Sequence, residues 1–148
     1  MADLFEQVTN FFDRQEWNSE ILEGRTTLTM RVTMPAGTWD VFVDVRETES
    51  QLTIYSVAPF NVPKEKLADM AEFQARINYG LIIGNFEMDW DDGEIRFKTS
   101  LDFKNDRLSD TLLGQLFNAN LRNMNLFFPG LEAVIDGIKS PQEIMATF

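Results

Sequence analysis

The amino-acid sequence predicts an α+β fold in which helices cover one face of a five-stranded, mostly antiparallel sheet. Runs of alternating apolar and polar residues indicate half-buried strands, and stretches with apolar residues three and four positions apart indicate amphipathic helices. The connections between the first three strands are too short for a parallel return, which needs about a dozen residues or more. The predicted order is αβββαββα, and the length suits a single domain over residues 1–148.

The first helix and three strands are predicted from spacing. In residues 3–14 the apolar side chains have helical spacing, and Asp3 with Glu6 resembles a capping box. Pro35-Ala36-Gly37 ends the first predicted strand, and a polar turn over residues 47–51 separates the second from the third. Alternation of apolar and polar residues places these strands at residues 27–34, 39–46 and 52–57.

A second helix and a hairpin are predicted next. Pro63 suits the first turn of the helix, its apolar positions recur on one face, and Gly80 is a good residue for its C-cap. Residues 81–90 and 94–103 then have the pattern of two strands. Between them, Asp92-Gly93 supplies the positive backbone dihedral angles that a tight hairpin turn needs.

A long third helix is predicted to start within residues 105–109. Its apolar residues keep helical spacing over roughly seven turns. Pro129 lies inside this run and is expected to kink or interrupt it, because proline has no amide hydrogen and crowds the preceding turn. Ser140-Pro141-Gln142-Glu143 is typical of an N-terminal cap and predicts a last short helical turn.

The charge and composition disfavour several classes of function. Asp and Glu number 24 against 13 Lys and Arg, so the formal net charge is −11. Nucleic acids and anionic membrane surfaces would be repelled, and we expect neither as a partner. The chain has no Cys and no His, which removes the thiol and imidazole groups of most catalytic and metal sites. We therefore expect a protein that is not an enzyme and has no cofactor, catalytic residue or dedicated metal site.

The location predicted from the sequence is the cytoplasm. The first residues are acidic where a secretory signal would carry a basic region. No apolar run approaches the roughly 20 residues of a membrane span.

The densest acidic cluster lies in the predicted hairpin and consists of Glu87, Asp89, Asp91, Asp92 and Glu94. Counting from Glu87 as the first position of an EF-hand loop, Asp92 stands where glycine is required and Lys98 where a bidentate Glu is required. The calcium-loop interpretation therefore fails. We interpret the cluster as a solvated strand surface with Arg96 and Lys98 as cross-strand partners, and a weak, adventitious metal site is the alternative.

Gly80 and Gly84 with Asn85 resemble a glycine-rich phosphate loop. They lie between a helix and a strand, however, which is the reverse of the strand-to-helix order that directs amide groups at phosphate. Gly80 is better explained as a helix C-cap, and Gly84 as a point of close approach to another part of the backbone.

Two aromatic residues stand on strand faces where polar neighbours predominate. Phe42 lies between Asp40 and Asp44, and Tyr55 lies between Thr53 and Val57. Clustered on an outer face, Phe42 and Tyr55 would form an apolar patch rimmed by charge, which often marks a partner surface. We take them as candidate partner-binding residues. The alternative is that they pack under a loop or helix, or stand singly exposed.

A second candidate site is an apolar ligand pocket between the third helix and the sheet. Phe97, Leu101, Phe117 and Met124 would line it, because ligand pockets are mostly apolar with a few polar groups. A well-filled core has the same sequence pattern and is the alternative. The Phe and Met residues of the third helix also suggest an adaptable peptide groove, although their spacing is what a core helix requires.

Several short motifs resemble those of one protein family. They are Asn78-Tyr79, Gly84-Asn85-Phe86, Asp92-Gly93-Glu94-Ile95-Arg96, Phe127-Phe128-Pro129 and Ser140-Pro141. Through them the chain resembles the YbjN family of small bacterial proteins, which are described as regulators of sensory transduction and share the fold of type III secretion chaperones. The resemblance implies a cytoplasmic homodimer that binds another protein, which is our leading hypothesis. A small-ligand sensor is the alternative.

Overall fold

The computed structural model describes residues 3–148 and confirms the α+β fold, with six strands rather than five. The elements are, in chain order, α1 (Leu4–Arg14), β1 (Glu20–Ile21), β2 (Thr27–Met34), β3 (Gly37–Arg46), β4 (Gln51–Asn61), a 3₁₀ turn (Lys64–Lys66), α2 (Leu67–Gly80), β5 (Asn85–Met88), β6 (Glu94–Asp102), α3 (Asp110–Asp136) and α4 (Pro141–Met145). The sheet has the spatial order β1-β2-β3-β4-β6-β5, and every neighbouring pair is antiparallel.

The additional strand is β1, at one edge of the sheet. It has two residues and pairs with Leu28 and Thr29 of β2. The sequence does not predict it because two residues are too few to show alternation. β4 is also longer than predicted, since it continues from Val57 to Asn61 through an irregularity in its pairing with β6.

The β5–β6 hairpin differs from the prediction in length and in turn geometry. β5 has only four residues, so the apolar run Leu81-Ile82-Ile83 lies outside the sheet. Gly93 has a φ of +77°, whereas Asp92 does not adopt a positive φ. The Gly93 N–H donates to the Asp89 carbonyl at 2.8 Å. The turn is therefore longer than the two-residue turn that Asp92-Gly93 predicts.

α1 is capped by a side chain and tied to the sheet at the same end. The Asp3 carboxylate accepts a hydrogen bond from the Glu6 N–H at 2.7 Å, which confirms the predicted start of the helix. The Glu47 carboxylate, in the β3–β4 turn, accepts the N–H groups of Leu4 and Phe5 at 3.2 and 2.6 Å. A negative charge is favourable here because the first N–H groups of a helix have no partner within it.

Caps are predicted at the C-terminus of α2 and at the N-terminus of α4. α2 ends at Gly80 as predicted, but Gly80 does not adopt a positive φ, and Leu81 is the C-cap with φ −77°. Gly80 is therefore the last residue of the helix, and the prediction that it is the C-cap is wrong. The capping box of α4 is confirmed, because the Ser140 N–H donates to Glu143 Oε1 at 3.0 Å and the Glu143 N–H donates to Ser140 Oγ at 3.1 Å.

α3 is the longest element, with 27 residues. Ser109 caps its start, and Gly137, with φ +72°, caps its end. Pro129 does not interrupt the helix, and its ring lies on the exposed side. No helix within residues 3–148 combines the length and apolar character needed to cross a lipid bilayer.

The four helices pack on one face of the sheet, where alternate residues of β2, β3, β4 and β6 are buried in a single core cluster. A buried polar network fixes α3 within it. Trp39 Nε1 donates to Ser56 Oγ at 3.0 Å, and Ser56 Oγ donates to Asn120 Oδ1 at 2.5 Å. The Asn120 amide nitrogen donates to the carbonyl oxygens of Ile54 and Phe97 at 2.9 and 3.1 Å. One side chain of α3 therefore bonds two neighbouring strands.

Candidate functional site

The face of the sheet turned away from the helices, here called the outer face, brings Phe42 and Tyr55 together. The two residues are directly opposite each other on β3 and β4, and both side chains are half-buried. Val57, two residues along β4, points to the same face, as the period of a strand requires. These three side chains form an apolar centre on a surface that no helix covers.

A depression of about 1130 Å³ surrounds this apolar centre. The β1–β2 turn, with Leu22, Gly24 and Arg25, forms one wall, and Ala58 and Pro59 of β4 form another. These segments line two sides of the depression, with the apolar centre between them. A concave apolar surface can hold a side chain or an extended segment of another molecule.

Charged side chains rim the depression on the side of β2 and β3. Arg31 Nε lies 3.1 Å from Asp40 Oδ1, and Thr27 Oγ1 donates to Asp44 Oδ1 at 2.9 Å. Asp40 and Asp44 are the two residues that flank Phe42 on its own face of β3. The aromatic ring therefore lies between two acidic groups that are already held by partners.

Arg96 of β6 forms the opposite side of the rim. Its guanidinium carbon lies 4.1 Å from the centroid of the Tyr55 ring, a cation–π contact. Its Nε also donates to Glu87 Oε1 at 2.9 Å, while Lys98 Nζ donates to Glu87 Oε2 at 2.7 Å. This arrangement holds the Tyr55 ring in place and leaves the edge of the depression polar.

The pKa of the Glu87 carboxylate is shifted by its partial burial and by these two contacts. Partial burial raises the pKa of Glu87, but hydrogen bonds from Lys98 and Arg96, together with their positive charges, outweigh it. The net result is a pKa below the usual value of 4.5. The predicted pairing of Glu87 with Arg96 and Lys98 is present, and the carboxylate is ionised at neutral pH.

Two other acidic side chains of the hairpin accept hydrogen bonds from backbone N–H groups of the turn. Asp89 Oδ1 accepts the Asp91 N–H, and Asp92 Oδ1 accepts the Glu94 N–H, both at 2.9 Å. Within residues 3–148 no three acidic side chains lie close enough to hold a metal ion. Gly84 has a φ of +80°, and a Cβ atom there would lie 2.8 Å from a backbone carbonyl oxygen of β6, which confirms the predicted close approach.

The four residues predicted to line a ligand pocket lie in the core. Phe97, Phe117 and Met124 are buried, and Leu101 is partly buried against them. The Phe97 ring packs edge-on against Phe86, with 4.8 Å between centroids. Of the four, Phe117 also lines a surface depression of about 350 Å³ between α1 and α3. The ligand pocket stays a prediction, and a ligand would have to displace this packing.

The sequence did not predict every part of the outer face. Strand alternation placed Phe42 and Tyr55 on it, but the walls come from the β1–β2 turn and from the extension of β4. Arg96 was predicted as a partner of the acidic hairpin, and its contact with Tyr55 was missed. In the β4–β6 register Tyr55 pairs with Lys98, which places Arg96 diagonally next to the Tyr55 ring. The contact between Arg96 and Tyr55 therefore follows from the strand register, which alternation alone does not give.

Comparison with known proteins gives one family. The sequence model of the YbjN family, described as "Putative bacterial sensory transduction regulator", matches residues 5–133. Comparison with curated proteins gave no sequence match.

Solved structures show the same fold. The crystal structure of YbjN from E. coli has a TM-score of 0.67 at 10% identity, over 87% of this chain and 91% of that one. A chain of the HopA1–SchA chaperone–effector complex has a TM-score of 0.51 at 16% identity, over 82% and 91%. A chain of the ExsC–ExsE complex has 0.51 at 12% identity, over 85% and 94%. The α+β fold is therefore like that of type III secretion chaperones.

Proposed function

Because this chain belongs to the YbjN family, we propose that it is a protein-binding regulatory module whose outer face binds another protein. The observation that carries the proposal is the concave apolar centre of Phe42, Tyr55 and Val57 within a polar rim. Apolar residues at the centre and charged residues at the edge are the usual anatomy of a protein interface. The module performs no catalytic step, and it acts in the bacterial cytoplasm.

The fold neighbours support the choice of a protein as partner. Two of them are chains of two-protein complexes, HopA1–SchA and ExsC–ExsE, and the first is a chaperone–effector complex. The depression on this chain is open to solvent and large enough to accept an extended segment of another protein. Aromatic side chains such as Phe42 and Tyr55 supply much apolar contact area, and tyrosine is common among residues that dominate binding energy.

We propose further that the module is a homodimer, as the family resemblance implies. Its chain mass is 17.1 kDa, so a dimer would have twice that mass in light scattering. A monomer at all micromolar concentrations would contradict this part of the proposal and leave the outer-face binding to its own test.

The outer face can be tested by capturing partners from the native cytoplasm and measuring the amount bound. The wild-type chain is compared with a double variant, Phe42→Ser with Tyr55→Ser. We expect a stoichiometric protein that binds the wild type and is reduced at least about ten-fold by the variant, which corresponds to a loss of about 1.4 kcal/mol. The matched control is Leu112→Ser with Ile138→Ser, which removes two exposed apolar residues elsewhere. Equal capture by both double variants would contradict the proposal.

A further inference from the structure

The depression on the outer face carries no net charge. Its lining includes three basic and three acidic side chains, which are Arg25, Arg31, Arg96, Asp40, Asp44 and Glu94. The whole chain has 13 basic and 24 acidic residues, which leaves 10 basic and 21 acidic residues outside the lining. The net charge of −11 therefore lies entirely outside the depression, which is a neutral region of an acidic protein.

Two ion pairs lie in a row of side chains that crosses the outer face. Residues paired between neighbouring strands form this row, in the order Arg31, Asp40, Val57, Arg96 and Glu87. Arg31 Nε lies 3.1 Å from Asp40 Oδ1 at one end. Arg96 Nε lies 2.9 Å from Glu87 Oε1 at the other end. Val57 separates the two ion pairs, so the centre of the row is apolar.

The other three charged side chains of the lining have no ion-pair partner within residues 3–148. Asp44 accepts a hydrogen bond from Thr27 Oγ1 at 2.9 Å. Arg25 in the β1–β2 turn and Glu94 at the start of β6 have opposite signs, and β3 and β4 lie between them. The charges of Arg25, Asp44 and Glu94 sum to −1. The lining therefore has no large excess of either sign for a charged partner to neutralise.

The pairing of these charges determines what the apolar centre can accept. A charged side chain placed over Phe42, Tyr55 and Val57 would lose its water, and burial of a charge is costly unless an opposite charge compensates it. Arg96 and Asp40, the charged residues on either side of Val57 in the row, already have partners. An apolar side chain covers the centre without separating either ion pair.

We propose that the partner binds the depression through an extended segment that has a bulky apolar side chain and no net charge. This inference rests on the proposed function of the outer face and specifies the chemistry of the partner. Neighbouring strands are about 4.8 Å apart, so a path across β2, β3, β4 and β6 spans roughly 14 Å, or four to five extended residues. The affinity is nearly independent of salt, because the segment has no net charge for salt to screen.

Selection of peptides on the purified chain tests this chemistry. The probes are displayed random peptides of about ten residues, which exceed the estimated span. Peptides that also bind the double variant F42S with Y55S are removed. We expect the retained peptides to contain a large apolar residue and to have a net charge within about one unit of zero. Their Kd should change less than about two-fold between about 0.05 and 0.5 M NaCl.

Two variants of equal overall charge test whether the depression itself sets this selectivity. Asp40→Asn leaves Arg31 without its ion pair and gives the lining a net positive charge. Glu132→Gln removes one negative charge from an exposed position of α3, on the other side of the sheet. D40N is expected to select acidic peptides, whereas E132Q is expected to select the same neutral peptides as the wild type. Circular dichroism and thermal unfolding establish that each variant is folded.

Four outcomes would overturn the inference. Basic peptides that require Phe42 and Tyr55 and lose affinity at least about ten-fold as salt rises would leave the proposed function intact. Equal selection by D40N and E132Q would show that the charges of the depression do not choose the partner. Selection of no peptide that depends on Phe42 and Tyr55 would remove the proposed function itself. A dimeric wild type and a monomeric F42S with Y55S in sedimentation velocity would identify a second copy as the occupant.

Discussion

Asn120 shows at the scale of one residue how a buried polar side chain can determine packing. It is fully buried on the core side of α3, yet both ends of its amide have hydrogen-bond partners on the sheet. The sequence contained a signal for it, since Asn120 falls three residues after Phe117 and four before Met124 in the helical pattern. A polar residue at such a position predicts a buried network, but its partners depend on strand register.

We expect Asn120→Ala to lower the free energy of unfolding by about 2–4 kcal/mol. The substitution removes hydrogen bonds and leaves the carbonyl groups of Ile54 and Phe97 buried without this partner. Urea denaturation at pH 7 would measure it. Asn118→Ala, an exposed position on the same helix, is the control and should change the free energy by less than about 0.5 kcal/mol. Equal effects of the two substitutions would show that the network contributes little.

Glu87 gives a pH-dependent prediction. Its pKa is lower in the folded protein than in the unfolded chain, so its ionised form stabilises the fold at neutral pH. That stabilisation is fully present above 4.5, the usual pKa, and is lost as the pH falls through the folded-state value. Glu87→Gln should therefore reduce stability by about 1 kcal/mol at pH 7, with a smaller difference from the wild type below pH 4.5.

The measurement for Glu87 is chemical denaturation of both proteins across the acid range. Glu72→Gln is the control, because its pair with Arg76 is an exposed contact within one helix. Its effect should be no more than about 0.5 kcal/mol at neutral pH. A wild-type advantage over E87Q that grows on acidification would contradict the prediction.

At the scale of elements, the sequence predicted the helices and the central strands better than the sheet edges. β1 was missed, and β5 was predicted to begin at residue 81 because Leu81-Ile82-Ile83 is apolar. Gly84, directly before β5, has a φ of +80°, which lies outside the extended region and gives a physical reason for the late start of β5. The outer edge of β5 is then bound by a side chain. Asn78 Oδ1 accepts the Phe86 N–H at 2.8 Å, and Asn78 Nδ2 donates to the Phe86 carbonyl at 3.0 Å. This side chain occupies the open edge of β5, a contact that no periodicity can reveal.

Pro129 provides a test of helix α3. Proline inside a helix removes one backbone hydrogen bond and costs about 3 kcal/mol or more. Because the Pro129 ring is on the exposed side, alanine would fit without a clash and restore the bond. We expect Pro129→Ala to raise the free energy of unfolding by about 1–3 kcal/mol, the gain being reduced by the greater freedom of the unfolded chain.

The control for Pro129 is the same substitution where proline belongs. Pro141 is the first residue of α4, where its missing N–H costs nothing, and it is buried. Pro141→Ala should therefore lower stability. Thermal unfolding of both variants would show opposite shifts of the midpoint, and a destabilised P129A would mean that local bending of α3 is needed for its packing.

At the scale of the whole molecule, the outer face depends on how strands are placed side by side. The sequence alternation put Phe42 and Tyr55 on polar faces, but it did not show that they are opposite each other. That requires the exact β3–β4 register, in which Arg46 pairs with Gln51.

The dissociation constant of the proposed homodimer should depend on salt, because each copy has a net charge of −11. Two copies of such an acidic chain repel each other at long range, and salt screens this repulsion. Screening extends over about 30 Å at 0.01 M salt and about 10 Å at 0.1 M. We therefore expect the dissociation constant of the dimer to fall several-fold as salt rises through this range, measured by sedimentation equilibrium. A dimer that weakens as salt rises would instead indicate a contact held by opposite charges.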